Sequence, residues 1–230
     1  SSESRGLGDV YKRQVLHNKK ISIDNLYFVA SSNSAGSTLK FGDKEIKVEN
    51  LENFDFSKVN ISFFSAGKTI SEKYVPLAAK HSVVIDNSSF FRMDPDVPLI
   101  VPQVNKDHLK NIKKNIIANP NCSTAQLVIV LKSLNDNFKI KRIVISTYQS
   151  TSGAGKKPMD ELIDQTKSIL NNKSFEVKNF TKQIAFNAIP HIDSFSDDGY
   201  TKEELKMIKE TNKILGLSLI HISEPTRLTR

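Results

Sequence analysis

Short apolar runs rich in β-branched and aromatic residues recur through the first half of this chain, and each run stops at Ser, Asn, Gly or Pro. They lie at residues 26–30, 61–65, 83–86 and 99–101. Continuous apolar runs of this length are typical of strands that are buried on both faces of a parallel sheet. A helical spacing of apolar side chains at residues 71–80 separates two of the runs. The pattern therefore predicts βαβ units and an α/β fold.

Two residues set the limits of the helix that is predicted at residues 71–80. Ser71 precedes its apolar positions and is the predicted N-cap, because a hydroxyl can accept a hydrogen bond from an unpaired backbone N–H. Pro76 lacks a backbone N–H, so it should lie in the first turns or kink the helix.

Small polar loops follow the predicted strands at residues 31–36, 65–67 and 87–89. In open α/β folds, ligands bind at the carboxyl edge of the sheet, where such loops gather. A further Gly-rich loop, STSGAG at residues 150–155, would let the backbone approach a ligand closely. Each loop alone is a weak signal, since a Gly-rich segment before a helix is more often a simple turn.

The character of the sequence changes at residue 119, and we expect a second domain from there. Thr201 and Glu204 have the spacing of a capping box, and Gly216 marks the predicted end of the helix that they begin. The other elements predicted in this part are a helix at residues 126–134, a strand at 140–149 and a helix at 159–172.

The charge balance is basic, with 33 Lys and Arg against 25 Asp and Glu and a net charge of +8. Such a balance permits nucleic-acid binding. However, the Lys residues are scattered, and no motif interleaves them with aromatic side chains. The charge therefore predicts a solvated surface that attracts small anions, without a nucleic-acid partner.

Cysteine content and hydropathy limit the cellular setting. The single cysteine, Cys122, cannot form an internal disulfide or a zinc cluster, which predicts a reducing, cytoplasmic compartment and no metal site. The longest apolar runs, such as residues 127–131, are much shorter than the roughly 20 residues that span a bilayer. Residues 1–14 lack the apolar region of a secretory signal, so we expect no membrane association.

Cys122 is the first candidate for chemistry. Asn121 is a good N-cap, so the thiol would lie at the positive end of the following helix, where backbone N–H groups favour a thiolate. This position suits a nucleophile. The alternative is a small buried hydrophobic residue, which is the usual role of a lone cysteine. Spacing alone leaves both interpretations open.

Arg92, Glu203 and Lys206 are candidates for binding an anionic substrate. Arg92 is one of few arginines in the Lys-rich middle of the chain, and its guanidinium presents a planar fork to phosphate or carboxylate. Glu203 and Lys206 are three residues apart and share a helix face. Both observations also fit ordinary surface ion pairs, which are worth only a few tenths of a kcal/mol on a helix.

The order of the motifs is more specific than any one of them. The motifs are Ala30-Ser31 with residues 34–36 (SAG), then residues 64–67 (FSAG), 86–92 (DNSSFFR), 95–99 (PDVPL), 120–124 (PNCST), 146–149 (STYQ), 152–155 (SGAG) and 185–190 (AFNAIP). Together they closely resemble bacterial aspartate-semialdehyde dehydrogenases, over about residues 15–216 of this chain.

The resemblance implies a fold and a reaction. The expected fold is a Rossmann-like, doubly wound NADP-binding domain at residues 15–118, followed at residues 119–216 by an α+β catalytic and dimerisation domain of the glyceraldehyde-phosphate-dehydrogenase-like type. The implied reaction is the NADPH-dependent reductive dephosphorylation of L-aspartyl 4-phosphate to aspartate semialdehyde, a step toward lysine, threonine and methionine. A thiolate at Cys122 would form a thioester, which divides one difficult displacement into two easier steps. The family also implies a homodimer or tetramer.

Roles for individual residues follow from the matching motifs. Arg92, Asn121, Glu203 and Lys206 match substrate- and phosphate-binding positions, and Gln149 matches the residue that orients the substrate beside the cysteine. Many family members have Arg where Asn33 stands, so the preference for NADP over NAD is open. The residues implied to contact the cofactor are Ser31, Asn33, Ser34, Ser65, Gly67, Ser152 and Gly153.

The two ends of the chain do not continue the hydrophobic pattern of the middle. Residues 1–14 and 217–230 resemble translated linker sequence and are expected to be non-native tails. The family's first strand with its Gly-rich phosphate loop is expected before Val15 and is not found there. The family's substrate Arg and catalytic His are expected beyond Gly216, and His221 is not accepted as that base. We therefore expect an inactive internal fragment.

Two other functions are consistent with parts of the pattern. A related acyl-phosphate reductase, such as N-acetyl-glutamyl-phosphate reductase, would keep the cysteine and change the substrate pocket. A non-catalytic cofactor-binding relative would keep the fold alone, but the presence of Cys122, Gln149 and Arg92 argues against it.

Overall fold

The computed structural model describes residues 6–19 and 21–217, which contain six α-helices and six β-strands besides short 3-10 helices. The helices are α1 (Gly6–Asn18), α2 (Lys68–Ala78), α3 (Pro102–Asn105), α4 (Cys122–Asn137), α5 (Lys156–Leu170) and α6 (Lys202–Leu215). The strands are β1 (Phe28–Ala30), β2 (Thr38–Phe41), β3 (Lys44–Asn50), β4 (Ile61–Phe64), β5 (Val83–Asp86) and β6 (Ile116–Ala118). None of the described helices is both long and apolar enough to cross a membrane.

The strands form two three-stranded sheets. In one, β3 pairs in parallel with β1 and antiparallel with β2. In the other, β5 lies between β4 and β6 and all pairs are parallel. The order of strands and helices gives the mixed α/β architecture that the alternating pattern predicts.

The chain divides into two compact units, each built from two segments. The first unit contains the described residues up to Asp55 together with Gln149–Ile189. The second unit contains Phe56–Tyr148 and the described residues from Pro190 onward. The domain boundary that the sequence predicts at residue 119 stays a prediction.

The second unit has a core of closely packed apolar side chains around its parallel sheet. Burying side chains of this size is the main favourable contribution to folding, at about 1.5–3 kcal/mol each. The core residues that are almost fully buried are Val75, Ala78, Val84, Val97, Leu99, Ala118 and Val128.

The predicted strands are confirmed at residues 83–86 and, with shorter bounds, at 26–30 and 61–65. The strand predicted at residues 99–101 is wrong. Ala118 donates its N–H to the carbonyl of Pro98 and accepts from the N–H of Ile100, but Pro102 begins α3 directly afterwards. The chain therefore leaves the sheet after a single bridge.

The N-cap predicted at Ser71 is also wrong. The helix begins three residues earlier, at Lys68, and Gly67 is its N-cap. Ser71 instead lies inside the helix, where its hydroxyl donates to the buried carboxylate of Asp86 at 2.8 Å. Pro76 lies two residues before the helix ends at Ala78 and not in the first turn. Its missing N–H therefore removes a hydrogen bond only from the last turn.

The strand predicted at residues 140–149 does not form, because no described strand pairs with this segment. Its alternating side chains are nevertheless used. Ile143 is buried against Leu131 of α4, and Ile145 packs against the same cluster with Ile208 of α6. The alternating pattern thus arises because the side chains on one side of this segment are buried. The backbone of the segment does not pair with a neighbouring strand among the described residues.

The helices of the second half are longer at their N-termini than predicted. The predicted helix at 126–134 begins at Cys122, and the one at 159–172 begins at Lys156. The capping box is confirmed, since the Thr201 hydroxyl accepts from the N–H of Glu204 and the Glu204 carboxylate accepts from the N–H of Thr201.

Candidate active site

Cys122 is the first residue of α4. Asn121 caps this helix, as predicted, because its Oδ1 accepts a hydrogen bond from the N–H of Ser123 at 2.8 Å. The thiol of Cys122 is exposed. The interpretation of Cys122 as a buried hydrophobic residue is therefore wrong, and the thiol lies at the positive end of a 16-residue helix.

Helix α6 supplies the charged side chains that surround the start of α4. Glu203 Oε1 accepts a hydrogen bond from Asn121 Nδ2 at 2.8 Å. Lys206 Nζ lies 3.3 Å from the other oxygen of Glu203 and 2.9 Å from Asp193 Oδ2. Asn121, Glu203 and Lys206, which the resemblance places together, are therefore joined through hydrogen bonds.

The Lys206 ammonium and the Asp193 carboxylate stabilise each other's charged forms. Burial alone would lower the pKa of Lys206, but the hydrogen bond to Asp193 and the charge of Glu203 outweigh it, and its pKa is raised. Burial alone would raise the pKa of Asp193, but the Lys206 hydrogen bond and the Ser194 N–H outweigh it, and its pKa is lowered. At neutral pH, Lys206 is a cation held beside two carboxylates.

Arg92 is not a surface residue, because only 8% of it is exposed. Its NH1 group donates to Glu210 Oε1 at 3.0 Å, and its NH2 group donates to the carbonyl of Asn87 at 3.1 Å. Its Nε–H is buried and has no hydrogen-bond partner among the described residues. The interpretation of Arg92 as an exposed ion pair is therefore wrong.

Glu210 is a site residue that the sequence analysis did not identify. It is 3% exposed, and its second oxygen accepts the backbone N–H of Asn121 at 2.7 Å. One carboxylate thus joins Arg92 to the residue before Cys122. The sequence could have identified Glu210 by its spacing from Glu203 and Lys206, which puts the three residues on one face of a helix.

Lys213 holds the loop that follows Arg92. Its ammonium donates to the backbone carbonyls of Arg92, Asp94 and Val97 at 2.7, 2.7 and 2.8 Å. Burial lowers the pKa of Lys213, although the charge of Asp94 partly opposes this. The Lys213 ammonium thus supplies hydrogen bonds to backbone carbonyls of a loop that has no regular secondary structure.

Two of the candidate cofactor residues lie in the second unit. Ser65 and Gly67 form the turn between β4 and α2, and Gly67 adopts a φ of 98°, which favours glycine. Because glycine has no side chain, the N-cap residue itself makes no side-chain hydrogen bond to the first turn of α2. The helix thus begins directly after a parallel strand, which is the arrangement of many phosphate-binding helix starts.

The other cofactor candidates lie in the first unit. Ser31, Asn33 and Ser34 form a turn after β1, in which the N–H of Ser34 donates to the carbonyl of Ser31 at 2.9 Å. Ser152 and Gly153 lie in a short 3-10 helix, Thr151–Ala154.

Gln149 also belongs to the first unit, so its predicted approach to Cys122 stays a prediction. Its side-chain amide lies directly against Gly153, where an added Cβ atom would collide with it. His221 lies outside the described residues.

Two family models match the chain in order. The model described as semialdehyde dehydrogenase, NAD binding domain, matches residues 7–112. The model described as semialdehyde dehydrogenase, dimerisation domain, matches residues 131–227.

Curated relatives support the same assignment. Aspartate-semialdehyde dehydrogenase 2 of Vibrio cholerae is 50% identical over 205 residues, which are 88% of this chain and 61% of the relative. Aspartate-semialdehyde dehydrogenase of Rickettsia bellii is 50% identical over 206 residues, which are 88% of this chain and 60% of the relative. The chain thus spans about three fifths of the length of these relatives.

Solved structures match the fold. Aspartate semialdehyde dehydrogenase II from Vibrio cholerae superposes with a TM-score of 0.92 at 46% identity, over 98% of this chain and 67% of that chain. The enzyme from Candida albicans, solved with NADP, superposes with a TM-score of 0.61 at 27% identity, over 90% of this chain and 57% of that chain. From these matches in sequence and structure, we conclude that the chain belongs to the aspartate-semialdehyde dehydrogenase family.

Proposed function

We propose that this chain carries the acyl-transfer site of an aspartate-semialdehyde dehydrogenase, which reduces L-aspartyl 4-phosphate to aspartate semialdehyde and inorganic phosphate. The observation that carries this proposal is the link from Cys122 to Arg92. An exposed thiol lies at a helix start, and the residue before it shares the carboxylate of Glu210 with a buried guanidinium. This shared contact with Glu210 supports a site in which Cys122 is the nucleophile and Arg92 binds the phosphate group.

The first half of the reaction uses the residues of the second unit. The Cys122 thiolate attacks the acyl carbon of the substrate, a C–S bond forms, and the C–O bond to phosphate breaks. The oxyanion that develops is stabilised by backbone N–H groups at the start of α4. The leaving phosphate carries negative charge, which Arg92 and Lys206 neutralise. Glu203, bonded to Asn121, is placed to accept the substrate's ammonium group.

The second half of the reaction needs a hydride donor. NADPH supplies the hydride when it is bound, and reduction releases the aldehyde and regenerates the thiolate. The start of α2 suits a dinucleotide phosphate, because it follows a parallel strand and its N-cap residue, Gly67, has no side chain to compete for the first N–H groups. Ser65 adds a hydroxyl there, and Ser31, Asn33, Ser34, Ser152 and Gly153 are the proposed contacts in the first unit. Asn33 offers no positive charge for a 2′-phosphate.

We propose a homodimer as the assembly of this protein. The match of residues 131–227 to a dimerisation domain supports this proposal. A tetramer remains the alternative assembly.

The experiment that tests the proposed function uses Cys122, the only cysteine of the chain. Incubation with L-aspartyl 4-phosphate should add one aspartyl group at Cys122, detected by mass spectrometry of the intact chain. In this chain Cys122→Ser should abolish the adduct, and in a chain restored at both ends it should also abolish NADPH oxidation, because a hydroxyl at this position is a much poorer nucleophile than a thiolate.

Ser123→Ala is the matched control, because the contact of Ser123 with Asn121 uses its backbone N–H and the thiol is left in place. NADP binding should be nearly unchanged in Cys122→Ser. Near-normal turnover by this variant would exclude the covalent mechanism, and an adduct formed only from N-acetyl-glutamyl phosphate would reassign the substrate.

A further inference from the structure

Glu210 occupies two hydrogen-bond donors that an anion would otherwise use. Its Oε1 accepts from Arg92 NH1 at 3.0 Å, and its Oε2 accepts from the backbone N–H of Asn121 at 2.7 Å. A guanidinium and a backbone N–H beside a helix start are typical partners of phosphate oxygens. The carboxylate therefore acts as an internal anion next to the site proposed for the substrate's phosphate.

Resting on the proposed function, we propose that Glu210 is a positioning residue that weakens phosphate binding at Arg92. Its carboxylate fixes the direction of the guanidinium and limits the attraction of the guanidinium for a second anion. A leaving phosphate is consequently released once the thioester has formed.

The geometry leaves part of the guanidinium free for substrate. Arg92 donates through NH1 to Glu210 and through NH2 to the carbonyl of Asn87. The Nε–H is buried and lacks a partner among the described side chains and backbone groups. Glu210 and Asn87 each take one of the five N–H donors of the guanidinium, so a phosphate oxygen can bind a remaining N–H of NH1 or NH2 while Glu210 keeps its own contact.

The sign of the effect follows from charge. A phosphate that reaches Arg92 lies a few ångströms from the Glu210 carboxylate, and both groups are negative. In a buried, weakly screened site such repulsion changes an affinity by about tenfold or more. Removing the carboxylate would also leave a buried, unpaired guanidinium, which destabilises a fold until another anion replaces the lost partner.

The test compares Glu210→Gln with wild type by titrating inorganic phosphate at constant ionic strength and measuring binding by calorimetry and by the thermal midpoint. We expect Glu210→Gln to unfold at a lower temperature without phosphate and to bind phosphate about tenfold more tightly. Phosphate should therefore raise its midpoint more than that of wild type. A purely structural role predicts equal or weaker phosphate binding.

Two further variants show whether a gain in phosphate affinity comes from loss of the Glu210 charge or from a general loss of stability. Glu210→Asp keeps the negative charge, so its phosphate affinity should stay near that of wild type. Glu161→Gln makes the same change at another buried carboxylate, which lies in the first unit and accepts hydrogen bonds from Gln165 and Asn179. It should be destabilised without any gain in phosphate affinity.

The outcomes distinguish this inference from the proposed function. If Arg92→Leu abolishes phosphate binding but Glu210→Gln binds no more tightly than wild type, the role of Glu210 is overturned and the phosphate site stands. If wild type binds no phosphate, both proposals fail. If Glu210→Gln is unfolded, added phosphate should restore its folding, and a failure to do so would count against the inference.

Discussion

Asn121 is the residue through which three parts of the candidate site are connected. Its Oδ1 caps α4, its Nδ2 donates to Glu203, and its backbone N–H donates to Glu210. The two carboxylates come from one helix, α6, so a rotation of that helix would move both contacts together. The position of the Cys122 thiol is consequently set by α6 as much as by its own helix.

Gly153 gives a prediction at the scale of single residues. A methyl group at this position would collide with the Gln149 amide, so Gly153→Ala should displace that amide. Gln149 is the residue proposed to orient the substrate, and a displacement of about 1 Å can cost roughly 100-fold in rate. In a chain restored at both ends, we expect a fall in kcat of about tenfold or more, with NADPH oxidation as the measurement.

A double-mutant cycle shows whether Gln149 mediates this effect. In a Gln149→Ala background the collision is absent, so adding Gly153→Ala should cause no further loss of kcat. Additive losses would mean that Gly153 acts independently of Gln149, for example through the cofactor.

The predictability of the site differs from residue to residue. Asn121 could be identified because a helix cap is a local feature with a known preference for Asn. The burial of Arg92 could not be predicted from the sequence, since its partner Glu210 lies 118 residues further along the chain. A charged residue carries no sequence signal that separates a buried pair from an exposed one. The resemblance identified Glu203 and Lys206 by their motif and was silent on Glu210.

At the scale of elements, α5 is held in the first unit by buried polar side chains. Glu161 Oε2 accepts from the backbone N–H of Asn179 at 2.6 Å, and its Oε1 accepts from that of Lys178 at 3.0 Å. Gln165 Oε1 accepts from the backbone N–H groups of Ile184 and Ala185. These contacts satisfy backbone groups of an irregular segment that has no strand partner among the described residues.

Glu161 gives a prediction about acid stability. Burial alone would raise its pKa, but the hydrogen bonds from Lys178, Asn179 and Gln165 outweigh burial, and its pKa is lowered below the ordinary 4.5. A lowered pKa adds stability above the unfolded value, and this stability is lost as the pH falls through the folded value. Glu161→Gln should therefore lower the free energy of unfolding at pH 7 by about 1–3 kcal/mol.

Urea unfolding at several pH values measures this difference. The gap between wild type and Glu161→Gln should shrink as the pH falls below about 4.5, because protonated Glu161 also loses its acceptor charge. Glu176→Gln is the control, since this exposed carboxylate pairs with Lys178 at the surface and should change stability by less than about 1 kcal/mol. A gap that is constant with pH would exclude the charge of Glu161 as the cause.

The elements that the sequence predicted best are those with local signals. Thr201, Glu204 and Gly216 fix the ends of α6, and the structure has both the capping box and the glycine C-cap. The failure at residues 140–149 has a different origin, because alternation reports which side chains are buried but not whether a second strand lies alongside. The start of α2 was misplaced because Ser71, which could cap a helix, bonds to the distant Asp86 instead.

At the scale of the whole molecule, the parallel sheet and the helical segments follow from the spacing of apolar residues. The division into two units does not follow from that spacing, because each unit joins segments that are far apart in sequence. Such long-range grouping depends on packing between elements, for which periodicity carries no information.

The last prediction concerns self-association. Val130 and Leu134 lie one turn apart on α4, Phe138 is the extended residue that follows the end of this helix, and they are 60%, 47% and 72% exposed. An apolar stripe of this kind is typical of an interface, and residues 131–227 match a dimerisation domain. We therefore expect the chain to form dimers that Leu134→Asp with Phe138→Asp weakens by about tenfold or more, measured by sedimentation at several concentrations.

Charge makes this experiment sharper. The chain carries a net charge of +8, so adding aspartates lowers the general repulsion between two copies and would by itself strengthen association. Weaker association would therefore run against the change in net charge and indicate that the altered residues lie in the interface. Leu77→Asp, at a position on α2 that is 44% exposed, is the control and should leave the dimer intact. If Leu77→Asp weakens association as much as the double variant, or wild type stays monomeric at every concentration, this stripe is not the interface.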